Sequence, residues 1–479
     1  MSEDWEVVVG LEVHCELKTE TKLFCGCRNA FGAEPNTNIC PVCLGLPGSL
    51  PVLNEQAVEL AMRIGTALGC EIRPSTFHRK NYFYPDMPKD YQISQYDEPI
   101  NVGGSIDLPD GARVGIERAH IEEDTGKTTH IGGAGRIHEG LHSLVDYNRA
   151  GVPLVEIVSE PDIRNAEQAR AYVTELRAIL VATDASDGRM EEGSLRVDAN
   201  VSVRRHGESA YGTRCEVKNM NSLRSLGRAI DHEAARQIEI VTSGGVVTQE
   251  TRHWDEKEGR TSSMRSKEEA YDYRYFPEPD LVPLVPDDEW RSGVAGRIGL
   301  LPAERRRRVS ALFDVDAGPS VDQVTTVVSQ GLDDLVVEAV ALGADARLAL
   351  ARAANEAAAN VEGARVLDAA RFAALVEMEA NGTLGAKQSK AVLAAMLAGD
   401  GGSPAEVVAR LGFEAMGAGT LDAVIDEVIS ANPAEWVRYR AGDPKVAGFL
   451  QGQVMKATSG RANGKLVAEA FAARRAAGS

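Results

Sequence analysis

"VVVGLEVHCELK", Val7 to Lys18, alternates along its length. Leu11, Val13, Cys15 and Leu17 fall on one side, and Glu12, His14 and Glu16 on the other. Successive side chains of a strand point to opposite faces, so the three ionisable groups stand in a row about 7 Å apart. A solvated face of an antiparallel sheet has the same pattern, so this strand alone leaves a merely wet surface open. The pattern recurs elsewhere. In "SLRVDANVSVR", Leu195, Val197, Ala199, Val201 and Val203 oppose Arg196, Asp198, Asn200, Ser202 and Arg204. In "RCEVKN", Cys215 and Val217 oppose Arg214, Glu216 and Lys218, and in "RAHIEEDTGK" His120, Glu122, Glu123 and Asp124 crowd one strand end. Carboxylates massed this closely raise one another's pKa unless a cation neutralises them. Hard oxygen ligands with one imidazole suit Mg²⁺ or Mn²⁺, which keep waters and bridge phosphates. A metal–phosphate site and a charge-dense wet sheet both fit the pattern.

Working outward, residues up to about 290 are rich in Gly, Pro, Val and Tyr and in short alternating runs. They predict a mostly antiparallel α+β domain over 1–290, interrupted by helices near Asn54–Gly69 and Asn165–Thr183. After "EPDLVPLVPDD" the chain turns to Ala, Leu, Arg and Glu at helical spacing, predicting a helical domain over 291–403. Gly-rich "AGDGGSP", Ala398 to Pro404, reads as a hinge before a small helical tail domain, 404–479.

A formal charge of −19 excludes nucleic-acid binding over the whole surface but not through a local patch. One such patch lies in the tail, where Lys456, Arg461, Lys465, Arg474 and Arg475 face Glu469 alone between Gly452 and Ser479. No run reaches the roughly 20 apolar residues of a membrane span. The acidic start "MSEDWE" lacks a secretory pattern, and seven cysteines are an odd number. A cytoplasmic protein is expected.

Two motifs mislead. "HEGLH", His138 to His142, matches the HExxH zinc-protease pattern, but its internal Gly and the preceding "IGGAGR" are poor helix chemistry. "GKT" at Gly126 lacks the Gly that a phosphate loop needs five positions earlier, where Ile121 stands. The cysteines are more specific. "CGC" (Cys25, Cys27) and "CPVC" (Cys40, Cys43) form two close pairs, a spacing that fits a closed, four-sulfur structural Zn²⁺ site.

Taken together, the stretches "GLEVHCELKT", "RKNYFYPDMPKDYQISQYDEPI", "HIEEDTGK", "VDYNRAGVPLVEIVSEPD", "MEEGSLRVDANVSVR", "EVKNMNSLRS", "DYRYFPEPDLVPL" and "GFLQGQVMKATSGRAN" resemble, along essentially the whole chain, the B subunits of glutamine-dependent aspartyl/glutamyl-tRNA amidotransferases. The large insertion of the related archaeal glutamate-specific subunit is absent from the sequence.

The resemblance implies a cradle-like catalytic domain, a helical domain and a tRNA-binding helical tail. It implies ATP- and Mg²⁺-dependent phosphorylation of the side-chain carboxylate of misacylated glutamyl- or aspartyl-tRNA. Amidation follows, with ammonia from a separate amidase (A) subunit; a small C subunit clasps the pair. The family's metal ligands match Glu12, His14, Glu123, Asp198 and Glu216 here. Arg196, Asn200, Arg204 and Lys218 are candidates for the ATP phosphates or the aminoacyl end, or for a network balancing the acids. Lys80, Tyr82, Lys89 and Tyr91 would wall an ammonia path or pack a surface loop. Lys456, Arg461 and Lys465 would meet tRNA phosphates. Zinc cysteines are not universal in the family, so Cys25, Cys27, Cys40 and Cys43 rest on spacing. A non-catalytic, zinc-stabilised tRNA adaptor is the competing function.

Overall fold

The computed structural model describes residues 4–132, 141–264, 273–314, 318–413, 418–458, 462 and 464–477. The chain forms two compact units, the first ending at Leu301 and the second beginning at Pro302.

The first unit opens with β1 (Trp5–Glu16) and α1 (Glu55–Ala67), then β2 (Glu71–Ile72), β3 (His78–Asn81), β4 (Tyr91–Ser94), β5 (Asn101–Val102), β6 (Ser105–Asp107) and β7 (Arg113–Glu123). A hairpin of β8 (Lys127–Ile131) and β9 (His142–Asp146) leads to β10 (Pro153–Ser159) and α2 (Ala166–Ala182). Then come β11 (Leu195–Arg205), β12 (Cys215–Lys218), α3 (Leu223–Thr242), β13 (Thr251–Asp255), β14 (Arg260–Ser263), β15 (Phe276–Pro277) and α4 (Asp288–Ala295).

The principal sheet runs β14-β13-β12-β11-β1-β10-β7-β4-β3-β15, with β1 near its centre. Only the β12–β13 pair in this sheet is parallel among the described strands. The α+β expectation holds. The odd-numbered face of β1 (Leu11, Val13, Cys15) joins Val155, Ile157, Val197, Val201 and Val217 in one buried core, to which α1, α2 and α3 contribute Ala61, Ile64, Val173, Leu176, Leu226 and Ile230. Burying that face sets the register, since a slip of one residue would turn the acids inward.

Helix α1 is capped by Asn54, whose side chain accepts from the Gln56 N–H, and α2 by Asn165, which accepts from Gln168. Both helices fall where periodicity predicts them. The twenty-residue α3 adds a third helix to the two expected, with Leu226, Ala229, Ile230 and Ala234 repeating at helical spacing behind the Ser222 cap.

The first compact unit runs past 290, because Val294 of α4 is buried in the first core and Arg297 pairs with Glu59 of α1 at 3.0 Å. In the second unit one helical core spans Val309 to Val408, and a separate one gathers Leu421, Ile425, Val446, Leu450, Val467 and Phe471. Val407 and Val408 follow the glycine hinge yet pack into the earlier core, so the tail's own core starts later than 404.

Candidate active site

The even-numbered face of β1 carries the site. Antiparallel register sets Glu12 opposite Asp198 of β11, and His14 between Glu156 of β10 and Arg196 of β11. Asn200 stands opposite Glu216 of β12, and Glu156 opposite His120 of β7. These side chains meet because each strand hides its alternate residues in the core.

The tightest group is His14, Glu122 and Glu156, one ligand atom of each lying within 4.8 Å of the others. His14 Nε2 is 3.6 Å from Glu122 Oε1 and 3.7 Å from Glu156 Oε2. Next to it, Lys218 Nζ lies 2.8 Å from both Asp198 Oδ2 and Glu216 Oε1. Asn200 Nδ2 donates to Glu12 Oε1 at 2.8 Å, and Thr251 Oγ1 donates to Glu216 Oε2 at 2.9 Å. Arg196 donates to Asp124 Oδ2 at 2.9 Å, and Arg149 reaches the same oxygen at 3.3 Å. After β12 the chain turns sharply at Asn219, whose φ of 71° lies in the left-handed region that Asn tolerates.

A cleft of about 500 Å³ opens over this face, lined by His14, Lys80, Tyr82, Glu122, Glu156 and Lys218 among others. Burial pushes the Glu12 carboxyl above the usual carboxylate range, with Glu156 and Glu216 adding repulsion. Burial and Glu156 raise Glu122 well above that range. Glu16 is pushed up to about 7 by burial and then by Asp124. Burial drives the His14 imidazole down to about 4, so it is neutral near pH 7 and keeps a lone pair for a cation. Burial opposes the Lys218 ammonium, but Asp198 and Glu216 overcome it and hold the group charged. Carboxylates and an imidazole gathered in this way fit a hard divalent cation.

Of the residues expected on this site, the structure gathers Glu12, His14, Asp198, Glu216, Arg196, Asn200 and Lys218 on one face. Two do not join. Glu123 follows Glu122, so its side chain projects to the opposite face, where it is paired with Lys89 and accepts from the Ile93 N–H at 2.9 Å. Arg204 lies six residues farther along β11 than Asp198, about 20 Å at strand rise. There it binds Glu6 and covers the Tyr211 ring at 5.1 Å.

The residues expected to wall an ammonia path divide as well. Lys80 and Tyr82 line the cleft, whereas Lys89 and Tyr91 line a small pocket with Glu123, Cys25 and Cys43. Sequence reasoning misses Glu156, although a lone acid between Leu154 and Val158 on a buried strand is a signal. It passes over Glu122 as a ligand, which only parity along β7 counted from His120 would select.

Cys25, Cys27, Cys40 and Cys43 place one sulfur each within 4.8 Å of the others. The Cys40 N–H donates to Cys43 Sγ at 3.0 Å. Fully buried Lys22 lies close enough to Cys43 to favour its thiolate and donates to the Asn38 carbonyl at 3.0 Å. Four convergent sulfurs with a donor and a cation beside them fit a thiolate-bound Zn²⁺.

"HEGLH" has no zinc-protease geometry among the described residues. His142 starts strand β9, and His138 lies outside the described residues. In the tail, Lys456 is exposed near the end of its helix, Arg461 lies outside the described residues, and the Lys465 side chain is not described. Arg474 is paired with Asp422 and Asp426 at 2.8 and 2.7 Å, which reduces the basic excess read from sequence. No described helix is long and apolar enough to cross a membrane.

The family model described as "GatB/GatE catalytic domain" matches residues 7–292, the segment that holds every acid and imidazole of this site. The chain belongs to the GatB/GatE family. A second model of the family, "GatB domain", matches residues 334–474. Among relatives of this GatB/GatE chain, one from Mycobacterium sp. (strain KMS) is 50% identical, over 97% of this chain and 95% of the relative. One from Moorella thermoacetica is 49% identical, over 97% and 98%. One from Streptomyces coelicolor is 47% identical, over 97% and 95%. Each of the three is named as the B subunit of an aspartyl/glutamyl-tRNA(Asn/Gln) amidotransferase.

Proposed function

We propose that this chain is the ATP-dependent subunit of a tRNA amidotransferase, converting Glu-tRNA(Gln), Asp-tRNA(Asn) or both into the amidated forms. The observation that carries the reading is the convergence of Glu12, His14, Glu122, Glu156, Asp198 and Glu216 from five strands on one open face. A carboxylate is a poor electrophile, and phosphorylation gives it a leaving group. The substrate's carboxylate oxygen attacks the γ-phosphorus of ATP, the bond to ADP breaks, and an acyl phosphate forms. Ammonia then attacks the acyl carbon, phosphate departs, and a proton is lost to leave the amide.

Positioning and charge neutralisation do most of the work in phosphoryl transfer. Mg²⁺ held by His14, Glu122 and Glu156, with Glu12, Asp198 and Glu216 beside them, would supply neutralising charge for the phosphates. Lys218, held between Asp198 and Glu216, offers a cation to the same charge, Asn200 holds Glu12 in place, and Arg196 is positioned by Asp124.

The four residues Lys80, Tyr82, Lys89 and Tyr91 lie on or beside the paired strands β3 and β4, two toward each side of the sheet. We read Lys80 and Tyr82, which line the cleft, as walls of a polar passage for ammonia released by a partner amidase, with Lys89 and Tyr91 bracing the other side of the sheet and a small third subunit completing a cytoplasmic heterotrimer. Zn²⁺ on the four cysteines is structural, because sulfur fills every position. The exposed Lys456 and its basic neighbours would meet tRNA phosphates.

The test is reconstitution with the amidase partner on each misacylated tRNA, with ATP and either glutamine or ammonium. Formation of Gln-tRNA or Asn-tRNA together with ADP is expected. Binding of tRNA without ATP cleavage or product would leave an adaptor instead.

A further inference from the structure

Aromatic residues make up only 5% of the chain, yet five of its 11 tyrosines form one row that meets the cleft at Tyr82. Tyr84 stacks on Tyr82, centroids 5.0 Å apart and planes 10° from parallel. The Tyr82 hydroxyl is within electrostatic reach of Tyr273. Tyr273 stands edge-on to Tyr275 at 6.0 Å, and Tyr275 stacks on Tyr96 at 5.3 Å and 15°. The row begins at the exposed Tyr84 and ends at the stacked pair of Tyr275 and Tyr96, of which Tyr275 lies within electrostatic reach of Glu122 and Glu156.

The row is built on a firm base. Asn81 Nδ2 donates to the Tyr273 carbonyl at 2.9 Å. Arg79 forks onto the buried Glu278 with two bonds of 2.7 Å, locking the segment after Tyr275 against β3. Despite this support, Tyr84 and Tyr96 remain 37% and 43% exposed. Cations accompany the rings: Lys80 Nζ lies 4.8 Å from the Tyr273 centroid, and the Arg118 guanidinium 4.7 Å from that of Tyr96.

Successive aromatic faces flanked by cations are how proteins hold single-stranded nucleic acid, because every base has a face to stack and each linkage is anionic. We propose that this tyrosine row binds the unpaired 3′-terminal nucleotides of the aminoacyl-tRNA, stacking their bases and leading the esterified amino acid to the acidic cluster. A single nucleotide would need one stacking partner, whereas this row extends over several rings from the rim inward. The proposal rests on the function given above and assigns residues to RNA that the charge pattern alone would not.

The experiment measures tRNA binding to the full complex with its amidase partner, without ATP, by fluorescence anisotropy. Intact tRNA is compared with the same tRNA lacking its last three nucleotides. The wild type is expected to bind the intact RNA more tightly. Tyr96→Leu and Tyr84→Leu should each weaken binding of intact tRNA by about fivefold to a hundredfold, leave the truncated tRNA unchanged, and leave the KM for ATP unchanged. The Phe variants should retain binding.

Equal loss on both RNAs, no loss, or a raised KM for ATP with intact tRNA binding would overturn the proposal; the last would assign the row to the adenine of ATP. A wild type indifferent to the missing nucleotides would overturn it too. Failure of the wild-type complex to amidate, with the contrast between the two RNAs preserved, would count against the catalytic reading alone.

Discussion

Glu122 and Glu123 are neighbours in sequence and should behave as opposites. Glu123 and Lys89 form an ion pair whose side chains are 3% and 8% exposed. Glu123→Gln keeps the shape but leaves the ammonium facing an amide in a dry pocket. Breaking a buried pair in this way costs about 3–5 kcal/mol. With an unfolding entropy of about 2 cal/mol/K per residue, the unit ending at Leu301 loses about 0.6 kcal/mol for each degree. Its melting temperature should therefore fall by about 5–8 °C, while its affinity for Mn²⁺ below the melt stays close to wild type. Glu122→Gln instead removes a buried carboxyl crowded by Glu156 beside His14, so the melting temperature in chelator should hold or rise slightly. Its Mn²⁺ affinity should drop at least tenfold, since even outer partners of a metal contribute that much. Thermal melts in chelator and Mn²⁺ titrations followed by electron paramagnetic resonance give both quantities. If Glu123→Gln melts like wild type and loses Mn²⁺ while Glu122→Gln does neither, the assignment of faces by strand parity is wrong.

Three further outcomes are expected. Stripping zinc with a strong chelator should release one equivalent of metal per chain and destabilise the first unit. Cobalt substitution should give a tetrahedral thiolate absorption that is lost in Cys25→Ser and Cys43→Ser; metal retained by Cys25→Ser with an unchanged cobalt spectrum would refute four-sulfur binding. Lys218→Met should lower the melting temperature in chelator by removing the cation between Asp198 and Glu216, and saturating Mg²⁺ should recover more of the loss than it adds to wild type. Glu16 titrates near 7 in the folded protein, above its unfolded value, so ionising it costs stability as pH rises from about 4.5 through 7. Glu16→Gln, melted in chelator, should accordingly match wild type at pH 4 and exceed it at pH 8; equal melts at both pH values would show that Glu16 is not held in a burying site.

Much of this was legible in the residues. Period-two alternation around Glu12, His14, Asp198, Asn200 and Glu216 reports which side chains share a face, because strand geometry leaves no other arrangement once the apolar set is buried. Asn54 and Asn165 marked helix starts for an equally local reason. The pairing of the two Cys motifs was visible because chelation needs close spacing. Glu156 was not, since a single acid in an apolar strand says nothing about which strand lies next to it.

By itself, then, the sequence determined the alternating strands, the helical second half, the cysteine clusters and the family, all of which are written in short-range spacing or in ordered motifs. Only the tertiary structure decided that β10 lies between β1 and β7, bringing Glu156 beside His14, that Glu123 turns under the sheet to Lys89, and that Arg204 is spent on Glu6. Those outcomes depend on strand order and register, which are set by the burial of a core assembled from residues far apart along the chain.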